Sequence, residues 1–266
     1  MINRELDDGK ATTPRNPFYP GGTLPAGHPT YVVRTCDAAL AAALQSKSLI
    51  TVEGGFSTGK SSLVLKVRAE LAAINRVCYI DLQDSRKDDE HVFMRFFFDE
   101  LTEQLHRNVE NWRHLDEGAR HPLLLIIDEL GCLTSRIAPS FIPQLVQFAT
   151  NRIDRVRVIV CLPVHKPNES IQKFFNSLGI THDKYSSVWH PVRVPLLDNS
   201  GISQLVGLLP PRARGFAHAH IDVIASLSGG SPKAVQCLCS ELCRAEATNA
   251  ADPDLRAILN DEESYK

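Results

Sequence analysis

The chain has 266 residues, of which 43% are hydrophobic and 23% are charged, and its formal net charge is −2. A chain of this length and composition can bury a large core, and we expect one α/β domain with a small helical appendage. The small net charge provides no overall attraction to nucleic acid, and no apolar stretch approaches the ~20 residues of a membrane span. Composition therefore argues against a membrane protein and against a strongly basic nucleic-acid-binding protein.

The first 15 residues are polar and lack the apolar core of a signal peptide, so we expect a cytoplasmic location. Seven cysteines without a secretory signal argue against a disulfide framework. Three of them, Cys237, Cys239 and Cys243, lack the paired spacing of a zinc site. We predict that these three are small core residues.

The N-terminal part, residues 1–27, is rich in proline, glycine and polar side chains, and we predict a flexible segment. An alanine-rich helix follows at 37–44, with Asp37 as its predicted cap. From residue 28 to residue 197, strand and helix patterns alternate, which predicts a parallel sheet flanked by helices. The predicted strands are 49–52, 76–81, 122–128, 156–162 and 192–196. The later predicted helices are 62–73, 91–106 and 141–151.

A glycine-rich loop of the form G-x-x-x-x-G-K-[ST] follows the first predicted strand. Its residues, with the serine after them, are Gly54, Gly55, Phe56, Ser57, Thr58, Gly59, Lys60, Ser61 and Ser62. Such loops turn backbone N–H groups toward phosphates, and the positive end of the next helix points at the same place. We predict that Lys60 reaches the β- and γ-phosphates of a nucleotide and that the Ser61 hydroxyl ligates Mg²⁺.

A second motif is the apolar run 123–127 that ends in Asp128 and Glu129. A continuous apolar run is typical of a buried parallel strand. We predict that Asp128 holds Mg²⁺ through water and that Glu129 polarises the attacking water. The catalytic candidates are therefore Glu129, Lys60 and Asp128.

Beyond residue 197 the pattern becomes helical, with predicted helices at 199–208, 218–227 and 232–247. Strong helix breakers separate them, namely Pro210-Pro211 and the Gly-Gly-Ser-Pro run that ends at Pro232. We predict a helical lid at 198–248, followed by an acidic tail at 249–266.

With these motifs in place, the chain resembles STAND-class P-loop ATPases within the AAA+ group, and more narrowly the prokaryotic AAA-like domain proteins. The resemblance covers about residues 16–247. It includes the opening segment 18–25, the phosphate loop, the acidic pair and the Gly-x-Pro element that ends at Pro232. It implies a P-loop parallel sheet flanked by helices, with a small C-terminal helical lid.

The resemblance also implies roles for residues outside the two motifs. Arg34 would lie near the adenine and ribose, although Val33 stands where the family has glycine. Pro232 would lie near the base, and Lys233 would sense the γ-phosphate. A polar sensor after the fourth strand has His165 as its candidate, and Arg152 is the candidate for a sensor or trans-acting arginine. No obvious arginine finger is found, so hydrolysis is expected to be slow or partner-activated.

The sequence thus predicts an ATPase that acts as a molecular switch, with ATP and Mg²⁺ as cofactors. Its expected partners are further copies of itself, or a separate sensor or effector protein, in prokaryotic signalling or defence. An alternative is a DNA-associated AAA+ regulator, similar to the matchmaker ATPases of transposition, although no lysine-rich run supports it. Two further alternatives are a nucleotide-binding scaffold that does not hydrolyse and a small-molecule kinase. The intact motifs and the helical lid argue against these two.

Overall fold

The structure is a computed structural model that describes residues 16–84, 89–115, 120–164, 171–180, 188–248, 254, 255 and 257. The chain divides into two compact units. One unit comprises Thr23–Leu196, and the other comprises Met1–Gly22 together with Leu197–Lys266.

The larger unit contains a parallel five-stranded sheet within the described residues, in the order β2-β3-β4-β1-β5. The strands are β1 Leu49–Gly54, β2 Arg76–Asp81, β3 Leu123–Asp128, β4 Val156–Pro163 and β5 Trp189–Arg193. The parallel registers, for example Gly54↔Pro163 and Asp81↔Asp128, place the C-terminal ends of β1 and β3 on the same side of the sheet. The predicted α/β fold is therefore confirmed, and both motifs follow the C-terminal ends of their strands.

Helices cover both faces of the sheet. They are α1 Thr35–Ser46, α2 Lys60–Leu71, α3 Glu90–Leu105, α4 Ala138–Thr150 and α5 Ile171–Ser177. Short 3₁₀ turns follow β2 and β3 at Leu82–Asp84 and Leu130–Cys132. One buried cluster joins the sheet to α3 and α4 and is rich in aromatic residues such as Phe93, Phe97 and Phe141. A second cluster joins the opposite face to α1 and α2. Buried apolar side chains thus pack the sheet between two layers of helices.

Three sequence predictions in this unit need correction. The last strand was predicted at 192–196, but β5 is Trp189–Arg193. Strand β5 contains Pro191 and lies at an edge of the sheet, where a proline is tolerated. The first helix begins at Thr35, so Asp37 lies in its first turn and accepts a hydrogen bond from the Arg34 N–H (2.9 Å) instead of preceding the helix. Helix α5 was not predicted.

The smaller unit contains four described helices after Leu197, namely α6 Asn199–Val206, α7 Pro211–Ala219, α8 Ile221–Ser228 and α9 Pro232–Ala247. Three helices were predicted here. The second of them, at 218–227, is wrong at its start, because α7 ends and α8 begins within that range. The prolines at 210 and 211 were interpreted as a break, but Pro211 occupies the first turn of α7, where proline is favoured. Side-chain caps mark two starts, since Asp198 accepts from Gly201 N (2.8 Å) and Ser231 from Ala234 N (3.4 Å).

Residues 16–22 pack with α9 in this smaller unit. The Asn16 side chain donates to Ser240 Oγ (2.9 Å), and the Tyr19 N–H donates to Gln236 Oε1 (3.0 Å). Residues 1–15 of the predicted flexible segment lie outside the described residues. The cysteines of α9, at 237, 239 and 243, are buried, which confirms that they are core residues. Within the described part of the chain, no helix has the length and apolarity that a membrane crossing needs.

Candidate nucleotide-binding site

The phosphate loop joins β1 to α2, as its sequence context predicts. Strand β1 ends at Gly54 and helix α2 begins at Lys60. Two residues between them have left-handed backbones, Ser57 with φ of 57° and Gly59 with φ of 88°. Glycine adopts this conformation without steric cost, whereas a serine there is held by its surroundings. The second glycine of the motif, Gly59, is therefore required by the left-handed backbone conformation at that position.

Close packing against a side chain and a backbone carbonyl explains the first glycine of the motif, Gly54. A Cβ atom at Gly54 would lie 2.6 Å from Thr58 Oγ1 and 3.3 Å from the Val194 carbonyl oxygen. A Cβ at Gly55 would meet its nearest atoms at 3.7 and 3.9 Å, which are ordinary contacts. Thr58 Oγ1 itself donates to the Gly55 carbonyl (3.0 Å), which closes the loop on itself. Phe56, at the outside of the loop, is 66% exposed.

The Lys60 ammonium lies over the loop. Its Nζ donates to the carbonyl oxygens of Gly54 (3.0 Å) and Gly55 (2.8 Å), and the side chain is buried. Burial lowers the pKa of Lys60, while the nearby Cys161, Glu129 and Asp128 oppose that effect. The Lys60 ammonium is thus held against the loop backbone, and its contact with phosphate stays a prediction.

The two serines after the lysine occupy the first turn of α2. Ser61 is half-buried there. The Ser62 hydroxyl is buried and accepts a hydrogen bond from the Leu24 N–H (2.9 Å). Ser62 therefore anchors the segment before α1, and its predicted contact with nucleotide stays a prediction.

Arg34 contacts the loop from outside. Its guanidinium donates to the carbonyl oxygens of Thr58 (2.6 Å) and Pro195 (2.9 Å). A Cβ at Gly59 would lie 3.1 Å from an Arg34 nitrogen, so the arginine packs closely on the loop backbone. Arg34 Nε is buried and has no hydrogen-bond partner within the described part of the chain. In the structure, Arg34 thus ties the phosphate loop to the segment after β5, and its predicted proximity to adenine and ribose remains a prediction.

Asp128 closes β3 as a buried carboxylate that is 1% exposed. The Tyr79 hydroxyl donates to its Oδ2 (2.8 Å) and the Glu129 N–H donates to its Oδ1 (2.9 Å). The Cys161 thiol, from β4, also hydrogen-bonds to this carboxylate. The pKa of the thiol is raised well above its ordinary value, mainly by burial and next by the negative charge of Asp128. The sequence analysis missed Tyr79 and Cys161, because no motif marks either residue.

Glu129 follows in a left-handed conformation, with φ of 53°, and begins the short turn after β3. Burial raises the pKa of Glu129 above its ordinary value, the neighbouring Asp128 raises it further, and Lys60 opposes both. A carboxylate whose pKa is raised toward the working pH is a better proton acceptor near neutral pH. The backbone turn and the surrounding charges thus suit Glu129 to the predicted role of a base.

The donor set fits a magnesium ion. Mg²⁺ prefers oxygen ligands from one or two carboxylates and hydroxyls, with the remaining positions held by water and phosphate. Asp128 and Ser61 supply such oxygens, and Asp128 forms no ion pair among the described residues. A buried carboxylate that lacks a direct ion-pair partner is unfavourable, so a divalent ion would relieve that cost. The described residues contain no group of three or more His, Cys, Asp or Glu side chains that suits another metal.

Four predicted residues remain, and one of them lies outside the described residues. Pro232 and Lys233 begin α9 in the smaller unit. The Arg152 guanidinium lies 5.1 Å from the centre of the Phe148 ring. His165 lies outside the described residues. The predicted roles of these four residues stay predictions.

Comparison with known proteins gives the fold a name. No protein-family model and no curated protein sequence matches this chain. The Walker-type ATPase PABY2304 of Pyrococcus abyssi matches with a TM-score of 0.57 and 13% identity, over 87% of this chain and 71% of that one. Domain III of the Thermotoga maritima replication initiation protein DnaA matches with a TM-score of 0.52 and 15% identity, over 86% and 92%. The chain has the fold of P-loop AAA+ ATPases.

A third similar structure is the Drosophila ORC bound to DNA, with a TM-score of 0.57 and 13% identity, over 86% of this chain and 66% of that one. At identities this low, structural similarity establishes the fold of the chain and not its activity. Any activity therefore depends on the residues of the loop and of the acidic pair.

Proposed function

We propose that this protein is an ATPase that works as a molecular switch, with Mg²⁺ as its metal. The observation that carries the proposal is the arrangement around Lys60. Its ammonium is buried over the phosphate loop, and the charges of Asp128 and Glu129 act on it from the next-but-one strand of the sheet. This is the set of groups that phosphoryl transfer to water needs, namely a phosphate-binding cation, a metal-binding carboxylate and a base.

Each residue then has a defined task. The loop N–H groups and Lys60 bind the phosphates, and Ser61 and Asp128 hold Mg²⁺. The ion supplies charge neutralisation of the phosphate oxygens. Glu129 accepts a proton from the attacking water, and its raised pKa serves that step. Adenine rather than guanine is proposed because the sequence lacks an Asn/Thr-Lys-x-Asp motif for guanine.

The switch part of the proposal rests on the resemblance to STAND-class proteins. Nucleotide-dependent ordering of loops is a common way in which P-loop proteins change partners. We propose that the ATP-bound chain assembles with itself or recruits a separate sensor or effector protein, within the cytoplasm, in prokaryotic signalling or defence. Arg34, Pro232 and Lys233 are proposed as further nucleotide contacts on the same resemblance.

The test is molecular mass by light scattering, with and without ATP and Mg²⁺. Glu129→Gln keeps the shape of the side chain and removes the base, so it should bind ATP and hold the assembled state longer than the wild type. Lys60→Ala is the matched negative control and should not change mass when ATP is added. If Glu129→Gln hydrolyses ATP at the wild-type rate, the base has been assigned to the wrong residue.

A second candidate function is a DNA-associated regulator of the transposition-matchmaker type. The support is that one structure with this fold is an ORC bound to DNA and another is a replication initiation protein. The net charge of −2 argues against strong binding to DNA. Adding double-stranded DNA to the light-scattering experiment separates the two candidates, because only the DNA-associated regulator should need DNA for ATP-dependent assembly.

A further inference from the structure

The Asp128 carboxylate, the proposed Mg²⁺ ligand, has two hydrogen-bond partners that belong to neither motif, the Cys161 thiol and the Tyr79 hydroxyl. The Tyr79 hydroxyl, from β2, donates to Asp128 Oδ2 at 2.8 Å. The other oxygen, Oδ1, accepts from the Glu129 N–H at 2.9 Å. Each carboxylate oxygen therefore has a donor of its own, and the plane of the carboxylate is fixed.

Tyr79 is itself held from both sides. Strand β2 lies at one edge of the sheet, where backbone groups lack a neighbouring strand. The Gln104 carboxamide, from α3, fills that place. Its Oε1 accepts from Tyr79 N (2.8 Å), and its Nε2 donates to Tyr79 O (2.7 Å). The Arg68 guanidinium lies 5.6 Å from the centre of the Tyr79 ring. Backbone and ring are thus both fixed, so the direction of the hydroxyl is set.

We propose that Tyr79 is a positioning residue for the Mg²⁺ ligand Asp128, and that Gln104 acts on the metal site through Tyr79. The proposal rests on the proposed function, since it needs a magnesium nucleotide at the site. Removing a hydrogen-bond partner that orients a metal ligand typically lowers metal affinity by about 10- to 100-fold. Helix α3 at the edge of the sheet is thereby connected to the metal site by two successive sets of hydrogen bonds.

The experiment measures ATP affinity by calorimetry along a series of Mg²⁺ concentrations, from chelator to saturation. Tyr79→Phe removes one hydroxyl and keeps the ring. It should raise the Mg²⁺ concentration at the midpoint by about tenfold, and leave ATP affinity in chelator unchanged. Tyr31→Phe is the matched control, because the Tyr31 hydroxyl donates to a carboxylate oxygen of Asp37 (2.9 Å), which is not a proposed metal ligand. This control should keep the wild-type midpoint.

The role of Gln104 is tested by a double-mutant cycle. Gln104→Leu alone should shift the Mg²⁺ midpoint in the same direction as Tyr79→Phe. In the Tyr79→Phe background it should add no further shift, because its effect passes through the tyrosine hydroxyl. Gln144→Leu is the matched control on α4, where the side chain accepts from Trp112 Nε1 (3.0 Å) instead.

The outcomes separate this inference from the proposed function. A wild-type protein that binds no magnesium nucleotide would overturn both. A wild-type protein that binds it, with Tyr79→Phe at the same Mg²⁺ midpoint, would overturn the positioning role alone. Additive shifts from Gln104→Leu and Tyr79→Phe would show that Gln104 does not act through Tyr79. Thermal unfolding of each variant checks that an altered midpoint comes from folded protein.

Discussion

Replacing Gly54 by alanine tests the packing of the phosphate loop without any ligand. The added Cβ would lie 2.6 Å from Thr58 Oγ1 and 3.3 Å from the Val194 carbonyl oxygen, so atoms on both sides must move. Inserting one carbon into a well-packed site costs about 1–3 kcal/mol. For a domain of this size, each kcal/mol lowers the Tm by roughly 2–4 °C. We therefore expect Gly54→Ala to unfold clearly below the wild type.

Gly55→Ala is the matched control, because its Cβ would make contacts of 3.7 and 3.9 Å only. Calorimetric unfolding in nucleotide-free buffer should leave Gly55→Ala close to the wild type. Adding Thr58→Ala to Gly54→Ala removes the oxygen at 2.6 Å and should recover part of the lost stability. If Gly54→Ala unfolds at the wild-type temperature, or if Gly55→Ala is equally destabilised, the description of the loop is wrong.

Three further predictions concern charge and pH. Burial alone would raise the pKa of Asp37, but hydrogen bonds from Lys66 and its other partners lower it below the ordinary 3.8. Ionised Asp37 thus stabilises the fold at neutral pH, and the Tm deficit of Asp37→Asn should shrink as the pH falls below 3.8. Arg34→Ala removes the hydrogen bonds to the Thr58 and Pro195 carbonyl oxygens, so we expect weaker ATP binding in titration calorimetry and a lower Tm. The ATPase rate should fall on the acid side through a pKa above 4.5, the ordinary value for Glu129, and Glu129→Gln should abolish the rate.

The sequence predicted those parts of the site whose residues are neighbours in the chain. The loop from Gly54 to Ser61 and the pair Asp128-Glu129 follow apolar strands directly, so local pattern and motif both locate them. The partners of these residues come from distant parts of the chain. Tyr79 is 49 residues from Asp128, and Arg34 is 161 residues from Pro195. No spacing rule connects such pairs, because the order of the strands brings them together.

The misplaced elements have local causes. Strand β5 contains Trp189, His190 and Pro191, which do not form an apolar run, and it is recognised only by its pairing with β1. Helix α7 was missed because Pro211 was interpreted as a helix breaker, whereas proline at a first turn favours a helix. Local propensity identified most of the helices and strands, and tertiary pairing decided the rest.

Calorimetric titration of the wild type and of Lys60→Ala with ATP and Mg²⁺ tests directly whether the phosphate loop binds a nucleotide. We predict saturable binding to the wild type and a loss of most of that affinity in Lys60→Ala, because we propose that the buried ammonium over the loop binds phosphate. Thermal unfolding of Lys60→Ala should show that the variant is folded. A folded Lys60→Ala that binds ATP as tightly as the wild type, or a wild type that binds none, would show that the loop does not bind ATP through Lys60.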